Sequence, residues 1–241
     1  MFVGNSGRQS GMRKKSLLGA LVVFAAFICP LHAAETSDPW IALNTLWVLL
    51  AAFLVFFMQA GFGMVEAGLI RSKNAGNILM KNMMDYCMAS LGFFIFGYAL
   101  MFGGDGPLFG SQGWLLMNAE SPVGIPLHAF WVFQAAFCGA AATIVAGGMA
   151  ERMRFVAYLM YSFVISAVVY PIVGHWIWGG GWLADLNFHD FAGSTVVHVV
   201  GGFTALVGTI LLKPRMGKFN SDGSPNFIAG HNMPLLSLGV F

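Results

Sequence analysis

Residues 190–212 read DFAGSTVVHVVGGFTALVGTILL. The run is long enough to cross a bilayer, whose hydrocarbon core takes about 20 apolar residues of helix. It opens on an acid, Asp190, and carries one titratable ring, His198. Eight residues of helix at about 1.5 Å each put that ring about 12 Å below the acid, near the bilayer midplane. A charged or titratable group at that depth is costly, so it ordinarily faces a bundle interior or a water cavity. A bland role remains open, in which a carbonyl of a neighbouring helix satisfies the ring.

The rest of the chain agrees with a membrane fold. Of 241 residues, 58% are hydrophobic and 9% charged, against about 25% charged in a soluble domain. Four more apolar segments precede the first, at about residues 40–70, 86–102, 127–150 and 155–178. A sixth apolar run, 233–241, is too short to cross. The expected class is an all-α polytopic membrane protein with no cofactor. Three cysteines, Cys29, Cys87 and Cys138, have no disulfide framework spacing and read as small hydrophobes. No zinc spacing, phosphate loop or nucleophile–base set occurs, which argues against an enzyme. A nucleic-acid partner is excluded because no water-facing basic cluster is present.

Arg8, Arg13, Lys14 and Lys15 precede the apolar run SLLGALVVFAAFIC and a small-residue stretch ending near Ala34. Residues 1–34 are therefore expected to be a cleaved signal peptide, with an uncleaved extra span as the alternative, and 35–241 the membrane domain. The remaining basic residues are Arg71, Lys73, Lys81, Arg152, Arg154, Lys213, Arg215 and Lys218. All are assigned to loops after the first, third and fifth spans. Loops 103–126 and 179–190 have none. The positive-inside rule then puts the mature N-terminus outside the cytoplasmic membrane, with the fifth span running inward.

Within FWVFQAAFCGAAATIVAGG (130–148), Phe133 and Phe137 are four apart and share a helix face. Trp178 ends the fourth span beside Gly179, Gly180 and Gly181. An interfacial tryptophan is ordinarily an anchor; together the rings are also the parts of an aromatic cage for a cation. Asp190 reads as a helix cap. Glu66, Glu151 and Arg152 read as helix-end charges.

Four motifs, EAGLIRSKN (66–74), AERMRF (150–155), HWIWGGGWLA (175–184) and DFAGSTVVH (190–198), occur in the order and at spacings that resemble the Amt/MEP/Rh ammonium transporter family, on the bacterial Amt side. The resemblance covers the first half of that family only. It implies an eleven-helix inverted-repeat fold, of which this chain holds five helices and the start of a sixth, assembled as a homotrimer with one pore per protomer. It implies that Phe133 and Trp178 recruit ammonium at the outer mouth and that Phe137 is the outermost gate phenylalanine. His198 is implied to be the first of two pore histidines, and Asp190 a structural acid at the mouth. A PII signal-transduction protein on the cytoplasmic face is a further implied partner. The expected function is ammonium or ammonia transport. The alternatives are a membrane ammonium sensor coupled to a signalling domain and a nonfunctional fragment. Because the chain stops inside an apolar run, a piece of a longer reading frame is the expectation.

Overall fold

The computed structural model describes residues 38–241. The expected signal peptide, and Cys29 with it, lie outside the described residues. Among those residues there is no β-strand; the one extended pairing is an isolated bridge between Phe219 and Pro225. Among the described residues five helices are long and apolar enough to cross a membrane. We number them α1 (Pro39–Leu69), α2 (Ser72–Phe102), α3 (Leu127–Met149), α4 (Phe155–Trp178) and α5 (Ser194–Leu212). A short α6 (Met233–Val240) follows.

Helix α3 is the core. It is rich in small residues, and Ala135, Ala136, Ala140, Ala141 and Ala142 are fully buried. Small side chains let α2 and α5 approach closely on either side. By contrast α1 turns Trp47, Leu54 and Phe57 outward. Exposed apolar side chains are what a lipid-facing helix requires.

Three of the helices contain a π turn: Phe93–Gly97 in α2, Ile165–Val169 in α4 and Ser194–Val199 in α5. The one in α4 has a local cause. Pro171 has no N–H and its ring crowds the carbonyl a turn earlier, so the ladder widens just before it. The α2 turn lies against it. At Gly97 an added Cβ would stand 2.7 Å from the Ser166 carbonyl oxygen, so only glycine lets these two helices meet.

One sequence expectation needs correcting. The second span does not begin at residue 86. A 3-10 turn, Ser72–Asn74, leads directly into helix Ala75–Gly92. Lys81 is therefore buried within α2 rather than placed in a loop, and its Nζ donates to the Met153 carbonyl at 2.9 Å. The polar residues of this stretch hid the helix from an apolar-run reading. Its buried positions 78, 82, 85, 89 and 92 nonetheless keep three- and four-residue spacing.

Glu151 closes the basic end of the bundle. Its carboxylate accepts from Arg71 Nε at 3.0 Å, Arg215 at 3.0 Å and the Asn74 amide at 2.6 Å. These donors join the α1–α2, α3–α4 and α5–α6 links. Glu151 itself has φ 63°, a left-handed conformation rare outside glycine, which the surrounding donors hold in place. Partial burial by itself raises a carboxyl's pKa. Here the Arg71, Asn74 and Arg215 side chains and the Arg71 N–H outweigh it and hold the group down at about 2. A depressed carboxyl contributes stability above its ordinary value of 4.5, and that contribution is lost as pH falls toward 2. Thermal unfolding followed from neutral pH into acid is expected to show Tm falling through that window. Glu151→Gln should start lower and decline less. Equal acid declines in the two proteins are the contrary result.

Helix α6 docks on the same end of α1. The Asn232 N–H donates to the Gly68 carbonyl at 3.2 Å, and His231 Nδ1 lies 3.0 Å from the Ile70 carbonyl. The Asn232 side chain caps α6 by accepting from the Leu235 N–H.

Candidate functional site

At the end of the bundle opposite Glu151, α3, α4 and α5 converge. Phe133 and Phe137, one helical turn apart on α3, pack edge to face with centroids 5.0 Å apart. Phe137 in turn meets Trp178, the last residue of α4, at 5.7 Å and 63°. All three rings are half-buried. The structure thus gathers three of the five residues singled out from sequence into one aromatic group.

The indole is held from behind. Trp178 Nε1 donates to the main-chain carbonyl of Asp190 at 2.6 Å. With its N–H committed to that carbonyl, the indole keeps its π faces and no free donor. In each edge-to-face contact the positive rim of one ring meets the negative face of its neighbour.

Asp190 is the keystone of this end. It is buried, and its two carboxylate oxygens accept four backbone N–H groups. Gly193 and Ser194 donate to Oδ1 at 2.8 and 2.9 Å; Thr195 and Val196 donate to Oδ2 at 2.8 Å each. These are the orphan donors of a helix start, and the carboxylate faces the positive end of the helix dipole. Partial burial by itself raises the Asp190 pKa; the N–H groups of Val196, Thr195, Gly193 and Ser194 outweigh it and lower it. The helix starts at Ser194 rather than directly after Asp190 because Gly193 turns the chain at φ +97°. A Cβ there would lie 2.6 Å from Val197 Cγ2 and 3.3 Å from the Trp178 ring.

His198 is on the π turn of α5. The ring is exposed, and no hydrogen bond joins it to another side chain among the described residues. Its backbone N–H bonds to the Gly193 carbonyl, so its height is set by the same turn that Asp190 caps.

Sequence reasoning passed over two other groups. His175 is fully buried, with Nδ1 2.8 Å from the Met101 carbonyl and Nε2 against that of Gly106. It pins α4 to the loop leaving α2. Asp85 is fully buried on α2 among Thr143, Ser162 and Gln59. A polar residue recurring on the buried face of α2 was the available signal for it. Among the described residues no cluster of His, Cys, Asp and Glu could hold a metal ion.

The sequence profile of the Ammonium Transporter Family matches residues 46–241. The Archaeoglobus fulgidus protein named Ammonium transporter Amt2 is 46% identical, over 93% of this chain and 50% of that protein. Ammonium transporter 3 of Dictyostelium discoideum is 42% identical, over 82% of this chain and 46% of its own. Among solved structures, a Sensor Amt Protein superposes with TM-score 0.79 at 43% identity, over 83% of this chain and 52% of that one. Candida albicans Mep2 superposes with TM-score 0.70 at 29% identity, over 81% of this chain and 44% of its own. The chain spans about half the length of the curated relatives it matches.

Proposed function

The chain belongs to the ammonium transporter family, and on that premise we propose that it forms one half of a multi-pass membrane pathway moving ammonium or ammonia across a cytoplasmic membrane. The observation that carries the reading is the aromatic group at the end opposite the basic residues, with Trp178 oriented by Asp190. Ammonium and potassium are close in size, so a size filter separates them poorly. Ring faces at Phe133 and Trp178 attract and partly dehydrate a cation. An apolar passage beyond Phe137 then rejects any ion that keeps its charge. Ammonium can shed a proton and potassium cannot. His198, four residues into α5, takes or relays that proton. Asp190 shapes the mouth and does not itself bind substrate.

The basic residues gathered near Glu151 support a reading with that end in the cytoplasm and the N-terminus outside. The exposed apolar flank of α1 faces lipid or a further protomer, in keeping with a homotrimer. The basic loops are the side on which a PII protein would dock. A second reading is favoured by one finding: the likeness to the Sensor Amt Protein, under which ammonium binding drives a signal in place of net flux.

Uptake by the reconstituted protein tests these roles. Phe133→Leu and Trp178→Leu are expected to raise KM for ammonium about tenfold each, the loss of about 1–2 kcal/mol of cation–π attraction. Unchanged KM in both variants overturns the recruitment role. Saturable ammonium binding to the wild-type protein without flux favours the sensor.

A further inference from the structure

Asp85 lies inside the bundle, where three other helices meet α2. The Ser162 hydroxyl of α4 donates to its Oδ1. Its Oδ2 lies 2.6 Å from Oγ1 of Thr143 on α3. That same Oγ1 lies 2.7 Å from Oε1 of Gln59 on α1. Both are O–H···O hydrogen-bond distances. The row of three oxygens therefore needs two protons. Thr143 supplies one, and an amide oxygen supplies none. The other comes from the carboxyl: Asp85 donates to Thr143, and Thr143 donates to Gln59.

The same atoms also accommodate the ionised acid. Gln59 Nε2 is buried and has no hydrogen-bond partner among the described residues. Half a turn of the amide brings Nε2 to Thr143 in place of Oε1. Gln59 then donates to Thr143 and Thr143 donates to the Asp85 carboxylate, with Ser162 on the other oxygen. The row reverses direction and stays paired.

We propose that Asp85, Thr143 and Gln59 form a reversible proton-binding site inside the membrane domain, separate from the aromatic and histidine site, in which Asp85 carries the proton and the Gln59 amide turns over when it leaves. Thr143 is six residues from Phe137, which puts it on a different face of α3 from the aromatic group. The proton enters from and returns to water, and no other reactant is needed.

The ionisable neighbours come from every helix around the site. Lys81 stands one turn earlier on α2, with Nζ bonded to the Met153 carbonyl and 5.2 Å from the Tyr158 ring centre, so it makes no ion pair with Asp85. Glu66 approaches from α1, Cys138 from α3, and Tyr158 and Tyr161 from α4. Among the described residues Glu66 is the only other carboxyl in the group. Its charge state therefore needs separating from that of Asp85.

Infrared spectroscopy of the protein in lipid bilayers, recorded as pH is raised, reads the site directly. The expected result is a protonated-carboxyl C=O band that is present in wild type and Glu66→Gln, absent in Asp85→Asn, and lost reversibly toward alkaline pH. Thr143→Val should keep the band to a pH about one unit higher. It removes a donor to the charged form, and charge-assisted hydrogen bonds are about twice as strong as neutral ones. A wild-type spectrum without any such band overturns the proposal, as does a band that Asp85→Asn leaves intact. Should Asp85→Asn fail to fold, Thr143→Val decides alone: a shift toward lower pH, or none, overturns it. None of these readouts depends on flux, so a failed transport reading leaves the outcome interpretable.

Discussion

Replacing Asp190 by Ala is expected to lower stability by about 3–5 kcal/mol. Four backbone N–H groups lose their acceptor at once. A buried donor left unpaired costs about 1–3 kcal/mol, and water reaching the partly buried ones recovers part of the total. The lost interaction with the helix dipole adds to it. Asp190→Asn should fall between, because an amide keeps one acceptor oxygen and turns an N–H₂ toward other N–H groups. The Asp190 carboxyl is held below its ordinary range, so its contribution is present at neutral pH and lost as pH falls into acid. Thermal unfolding of the purified protein checks the stability change. Tryptophan fluorescence checks its reach, since Trp178 rests on the Asp190 carbonyl. A Tm equal to that of wild type contradicts the capping account.

Replacing His198 by Ala is expected to act on selectivity and to leave the fold intact. The ring is exposed and makes no side-chain hydrogen bond among the described residues, so its removal breaks no packing seen here. Its proposed work is to receive the ammonium proton and hydrogen-bond the ammonia. One such bond in an apolar passage is worth about 1.5–3 kcal/mol, or about 10- to 100-fold in discrimination of ammonium over potassium. Competition between the two ions in reconstituted vesicles measures this. Selectivity kept at the wild-type value, with Tm also unchanged, removes His198 from the mechanism.

The two variants differ in kind because their residues are legible in different ways. Apolar length and the distribution of Lys and Arg sufficed to expect five spans, and five helices near those positions are found. Bilayer thickness imposes that pattern on any chain, so it can be read one segment at a time. Residues such as Phe133 and Phe137 share a face by helical spacing alone. That Trp178 joins them is a fact about how α3 and α4 cross, which no local pattern encodes. Apolar length alone makes the second span too short, because Lys81 and Asp85 look like the ends of a membrane helix. Only packing against α3 and α4 supplies the hydroxyls and carbonyls that let such groups be buried.

By itself, then, the sequence determined the class of protein and the number of spans among the described residues. Each follows from a free-energy cost that acts along one helix in lipid. The tertiary structure alone decided which side chains meet. It made Asp190 the acceptor for four N–H groups, set Trp178 against Phe137, and put a carboxyl, a hydroxyl and an amide from three helices into one row of hydrogen bonds. Those contacts depend on side-chain positions to within a few tenths of an ångström, and helix packing sets such positions where periodicity cannot.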